Sequence, residues 1–207
     1  MGHADGLHRR SFGLAVGRDG RGFERLGRAT GLEMRAMAVD FPVVHGHPNR
    51  LPFEGVLTLV DVASDKAPSG ARGHKVVLTR EAAEAALPSL MGMAVDYKAG
   101  WDGHDARQKC GIITAAEVDG QKLTVAGYLF ARDFPEMEAK IQAESAMGMS
   151  YELADAHVAD MRAQVWTLTR ATFTGAAILL RDKAAYRNTS FRVKRPAAAT
   201  RRVAVAR

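Results

Sequence analysis

Apolar and other residues alternate through PFEGVLTLVDVAS (Pro52 to Ser64), and this period of two predicts a strand. The following DKAPSGARG breaks the pattern with Pro68, Gly70 and Gly73 and reads as a loop. HKVVL resumes as a second strand. TREAAEAALPSLMG then changes period to that of a helix. Thr79 suits its N-cap, Glu81 falls in the first turn, and Leu87 and Leu90 share a face. Pro88 has no N–H to donate and is expected to shorten or kink this helix.

GIITAAEV and KLTVAGYLF are two further strand-like runs separated by DGQ, and Asp-Gly between such runs predicts a hairpin. DFPEMEAKIQAESAMG predicts a second helix, with Asp133 as its cap, Glu136 completing a capping box, and Phe134, Met137 and Ile141 on one face. Gly148 suits the exit from that helix, after which MSYEL reads as a strand. AQVWTLTRATF alternates again, and GAAILL is a short buried run. The sum is a mostly β (α+β) domain over residues 37–190, with its strands in a small closed or partly open barrel and two packed helices. Residues 1–36 are rich in Gly and Arg without periodicity and are expected to be weakly ordered. Residues 191–207 are expected to form a disordered basic tail.

Composition changes this picture little. At 207 residues, 47% hydrophobic and 25% charged, the chain has the proportions of one globular domain with appendages. No apolar run reaches the roughly 20 residues of a membrane span, and the N-terminus has no secretory h-region. The single cysteine, Cys110, excludes an internal disulfide and fits a reducing, cytosolic compartment. The net charge of +6 matches the six basic residues of RVKRPAAATRRVAVAR, which has no acidic one. A basic groove across the domain is therefore not indicated; nucleic acid or an acidic surface would be met only by the tail. GRDGRG near the N-terminus lacks the preceding strand and following Gly-Lys-Ser/Thr of a phosphate loop.

Candidate chemistry centres on Ser150, a hydroxyl inside the apolar MGMSYEL. Serine is a poor nucleophile without a base in hydrogen-bond reach. Of the seven histidines, His3 and His8 fall in the N-terminal segment, His74 opens a strand, and His157 falls in a hairpin turn. His45 and His47 form a His-x-His without an accompanying Cys or acidic cluster, so no metal site is expected. His104 lies in the polar, Gly-punctuated DYKAGWDGHDARQKCGII that leads into a strand, where a side chain can be exposed yet rigidly placed. Spacing alone does not pair it with Ser150. Met91, Met93, Met147 and Met149 read as core filler, Trp101 and Trp166 as packing or a cleft rim. Cys110 sits in apolar company unsuited to a reactive thiol.

Three blocks together resemble the prohead (head maturation) serine proteases of tailed bacteriophages. They are GHDARQKCGII around His104, AMGMSYEL around Ser150, and FTGAAILLRDKAAY from Phe173 to Tyr186. The order is also similar to that of the herpesvirus assemblin proteases. The resemblance implies an assemblin-like barrel with His104 as general base and Ser150 as nucleophile, and no cofactor. Its partners would be the phage major capsid protein and scaffold protein, or a second copy of the chain. Its place would be the host bacterial cytoplasm, inside an assembling prohead. It also implies a basic residue after the third strand near the oxyanion, where Arg181 or Lys183 stands.

In one respect the chain departs from that pattern. The related proteases carry a third residue, His or an acid, where Gly175 falls here, and glycine cannot orient an imidazole. Thr174 is adjacent. Asp105 neighbours His104, but adjacent residues of an extended strand face opposite ways; Glu152 shares the face of Ser150 but lies ~7 Å along. A Ser–His dyad, a third member from elsewhere and an inactive copy remain as alternatives. The last would make the protein a capsid-assembly or scaffold protein that retains the fold. A DNA-binding role led by the tail lacks a groove-reading helix or an aromatic series.

Overall fold

The computed structural model describes residues 36–39, 46–143 and 146–194. Its strands are β1 (Ala36–Ala38), β2 (Leu51–Leu59), β3 (Lys75–Leu78), β4 (Ala94–Asp96), β5 (Lys109–Asp119) and β6 (Lys122–Leu129), then β7 (Met147–Val158), β8 (Val165–Leu180) and β9 (Ser190–Val193). Helix α1 (Arg80–Ala86) lies between β3 and β4, and α2 (Pro135–Ala143) between β6 and β7. The described strands form one sheet in the order β3-β8-β4-β5-β6-β2-β9, with β1 on β5 and β7 on β8. It curls into a half-barrel, so a mostly β fold with two helices is what the described residues show. Neither described helix is long and apolar enough to cross a membrane.

Local signals account for several of these elements. Thr79 caps α1, its hydroxyl accepting from the Ala82 N–H at 3.2 Å. The helix ends at Ala86, and Leu87–Leu90 continues as a 3-10 turn with Pro88 in its first positions, which drives Leu87 and Leu90 fully into the core. In the β5–β6 hairpin Asp119 pairs with Lys122 across Gly120 and Gln121, and Gly120 has φ +54°.

Four expectations change. AQVWTLTRATF and GAAILL form the single 16-residue β8, because Ala176–Leu179 is merely the stretch buried on both faces. Asp133 and Glu136 do not cap α2. The Asp133 carboxylate accepts from Asn49 Nδ2 at 2.7 Å, and Glu136 accepts from the Tyr97 hydroxyl, so tertiary contacts take both groups. Gly148 is not a helix exit but part of β7, where a Cβ would meet Thr189 Oγ1 at 2.8 Å. The segment expected as tail from residue 191 begins as strand β9, antiparallel to β2. Phe191 is buried with its ring 5.0 Å from that of Phe53, and Arg192 and Lys194 pair with Glu54. The alternation of Phe191 and Val193 with Arg192 signals this strand, but the basic composition obscures it. Residues 1–35 and 195–207 lie outside the described residues.

Strand β7 hydrogen-bonds to β8 and leans on β2 through side chains alone. Met149, 1% exposed, crosses to Gly55, where an added Cβ would fall 2.6 Å from the Met149 sulfur and 2.6 Å from the Ser190 carbonyl. The backbone carbonyl cannot yield, so Gly55→Ala is expected to cost about 1–3 kcal/mol of unfolding free energy by urea denaturation. An unchanged midpoint would show that β2, β7 and β9 are not packed this tightly.

Candidate active site

Ser150 is the fourth residue of β7, and the pleat turns its side chain away from buried Met149 and half-buried Tyr151. It pairs with Ala177 of β8. Half-buried, it faces a cleft of about 880 Å³ that also takes in His104, Glu152, Trp166 and the loop of residues 66–72. A larger concavity, about 1040 Å³, lies over β1, β2, β5, β6 and β9 and contains neither Ser150 nor His104. Chemistry rather than size identifies the site.

His104 belongs to the loop between β4 and β5, and that loop is anchored rather than free. The Trp101 ring is buried and stacks on Tyr97 at 4.8 Å, while its carbonyl accepts from the Leu180 N–H at 2.9 Å. Trp101 holds φ +55°, a left-handed conformation that costs a non-glycine residue about 1–2 kcal/mol and that these contacts sustain. Three residues on, the imidazole Nε2 stands 3.2 Å from Ser150 Oγ. The structure thus brings together the two residues that spacing alone could not pair.

Behind the imidazole lies a residue that the sequence reading passed over. Asp96, the last residue of β4, is 1% exposed, and its Oδ1 faces His104 Nδ1 at 3.4 Å. Both atoms are buried and neither has a hydrogen-bond partner, so they are apposed just beyond ordinary hydrogen-bond length. Such contacts are commonly long before substrate binds. The other oxygen, Oδ2, accepts from Lys109 Nζ at 2.9 Å. Burial pushes the Asp96 carboxyl up, but the facing His104 ring and the Lys109 ammonium outweigh it and hold the group below the usual carboxylate range. Asp96 Oδ1 facing Nδ1 favours the tautomer with the proton on Nδ1, which leaves Nε2 free to accept from the serine. Hydroxyl, imidazole and carboxylate thus stand in the order Ser–His–acid. Asp96 and Lys109 both stand in the polar segment around His104. The only signal for Asp96 was an acid ending an apolar run, too common to single out.

The other candidates fall elsewhere. Asp105 turns to Arg107, whose N–H and guanidinium bind it at 3.0 to 3.2 Å; the side-chain bond from Arg107 is the main cause of its lowered pKa. Gly175 pairs with Glu152, and a Cβ at 175 would lie 2.6 Å from Glu152 Oε2, so the glycine seats that exposed side chain. Thr174 is exposed on the cleft. The Arg181 N–H is committed to the Ala146 carbonyl at 3.0 Å, which removes it as an oxyanion donor, whereas Lys183 borders the cleft. Burial pushes the Cys110 thiol up to about 12, so it is inert at neutral pH. His47 accepts from the Asn49 N–H, His74 stacks on Trp166, and His157 contacts Arg170. His3, His8 and His45 lie outside the described residues.

No family model matches this chain, and neither does any curated protein.

The Asp96 contacts carry a pH signature. A carboxyl that ionises more readily folded than unfolded contributes stability in full above its unfolded value near 3.9 and loses it as pH falls through the lower folded value. Asp96→Asn is expected to lower unfolding free energy by about 2–3 kcal/mol at neutral pH, the gap to wild type closing progressively below about pH 4. Urea unfolding across that range reads this directly. A gap that persisted in acid would mean that ionised Asp96 is not its source.

Proposed function

We propose that this chain is a serine endopeptidase of the prohead type, with Ser150 as nucleophile, His104 as general base and Asp96 as the acid that orients the histidine. One observation carries the reading: a serine hydroxyl 3.2 Å from an imidazole whose far nitrogen faces a buried carboxylate. The half-barrel, with the serine on a strand and the histidine on an earlier loop, supports the assemblin-like form of the fold. The three sequence blocks point to phage head maturation. The substrates would then be scaffold and capsid-protein segments inside an assembling prohead in the host bacterial cytoplasm.

The chemistry follows from the geometry. His104 Nε2 takes the Ser150 proton as Oγ attacks the scissile carbonyl, and Nδ1–H points at Asp96, which steadies the imidazolium that forms. The proton passes to the leaving amine, which departs as the carbonyl re-forms in an acyl-enzyme. Water, deprotonated by the same imidazole, then releases the second product and restores the serine. The non-catalytic alternative rested on Gly175 having no side chain to orient the imidazole. A carboxylate from β4 stands behind it instead.

Ser150→Ala is expected to fold and express normally but leave a co-expressed capsid or scaffold protein uncut, as followed by gel mobility. Unimpaired processing by that variant would reject the reading. Asp96→Ala is expected to reduce kcat by about 10³–10⁴ without abolishing labelling of Ser150 by a serine-reactive phosphonate at long times. A loss below tenfold would remove Asp96 from the catalytic set.

A further inference from the structure

We propose that Lys109 is a positioning residue that fixes the rotation of the Asp96 carboxylate and lowers the basicity of His104 through it. The catalytic consequence rests on the peptidase reading, whereas the link from Lys109 to His104 needs no substrate.

The placement of Lys109 comes from an irregularity in the sheet. Strand β4 pairs with β5 so that Val95 opposes Gly111, yet the next residue, Asp96, opposes Lys109. Regular antiparallel pairing would set Asp96 against Cys110. The extra residue is a bulge, and it exchanges a thiol for an ammonium as the cross-strand neighbour of the carboxylate. Cys110, 0% exposed, turns inward and its sulfur donates to the Val95 carbonyl at 3.3 Å, which pins the bulge.

The two oxygens of Asp96 are thereby divided. Oδ2 is held by Lys109 at 2.9 Å, so rotation about the Cβ–Cγ bond would break an ion pair; Oδ1 is left facing His104. Charge adds to geometry. A lone buried carboxylate behind an imidazole favours the protonated ring, which cannot act as a base. A lysine on the far side of that carboxylate opposes this. The remaining charges around His104 are less buried than the Asp96 carboxylate and screened more than it. On its own loop Asp102 pairs with Lys98 and Asp105 with Arg107. Glu152 of β7 leans over Gly175, and Lys66, Arg72 and Lys183 stand across the cleft. Lys66 donates to the Asp182 carbonyl and Lys183 pairs with Asp182.

The test titrates the His104 imidazole by NMR in the full-length chain, with Lys109 changed to Met. Its pKa is expected to rise by about one unit, because a carboxylate no longer opposed by the lysine favours the imidazolium more strongly. Lys109→Arg, which keeps the charge, is expected to stay within about 0.3 units of wild type. In an Asp96→Asn background the Met substitution is expected to move His104 by less than a third as much, because the lysine acts through the carboxylate. Should Lys109→Met fail to fold, Lys109→Gln keeps a donor for Oδ2 without the charge, and the same rise is expected. An unchanged His104 titration in the folded neutral variant, or an equal rise in the Asp96→Asn background, overturns the proposal. With peptide substrate, the acid limb of kcat/KM is expected to move with the NMR value. Wild-type protein that cleaved nothing would defeat the peptidase reading while the imidazole titration still decided this one.

Discussion

Ala177 pairs with Asp96 on β4 and with Ser150 on β7, and the Ser–His–acid arrangement depends on that coincidence. Cross-strand partners in a pleated sheet present their side chains on the same face, so acid, methyl and hydroxyl form one row. Adjacent strands are about 4.8 Å apart, which separates the outer two by roughly 10 Å at the backbone. An imidazole entering above the small alanine can touch both, and His104 does so at 3.4 Å and 3.2 Å. The bulge at Cys110 extends the row to Lys109, the cross-strand partner of Asp96. Four neighbouring strands thus contribute one residue each, and only the histidine comes from a loop.

That row sets unusual demands on its surroundings. A carboxylate that is 1% exposed would be costly unless paired and hydrogen-bonded. Lys109 compensates one side while keeping 39% of its own side chain in solvent, so the burden of desolvation falls on one ion rather than two. The histidine must be rigid without being buried, and the loop achieves this at Trp101 rather than at His104. Its ring and carbonyl are tied down, while the imidazole three residues later stays 17% exposed on the cleft. Gly148, two residues before Ser150 on β7, leaves room for Thr189, and Gly175, the β8 partner of Glu152, leaves room for that side chain.

Much of the chain's local form was legible from its residues. The Thr79 cap, the Gly120 turn and the α-to-3-10 switch before Pro88 are consequences of single side chains acting within a few residues. The strands β5 and β6 followed from two strand-like runs on either side of Asp-Gly. Misreadings arose where a local signal was overridden at long range. Asp133 and Glu136 have the spacing of a capping box but are used by Asn49 and Tyr97, and Arg192 looks like tail yet sits in a strand opposite Glu54.

The sequence by itself determined the element types, the apolar faces that form the core, and the two residues, His104 and Ser150, whose chemistry made them candidates. Tertiary structure decided that they meet, that Asp96 rather than Asp105, Glu152 or a residue at 175 stands behind the ring, and that Lys109 holds that carboxylate. The reason is that periodicity reports which face a residue occupies on its own strand, whereas the site depends on register between strands. The parallel β4–β8 pairing and the one-residue slip on β5 are chosen by packing of the whole sheet, and no local window of residues contains them.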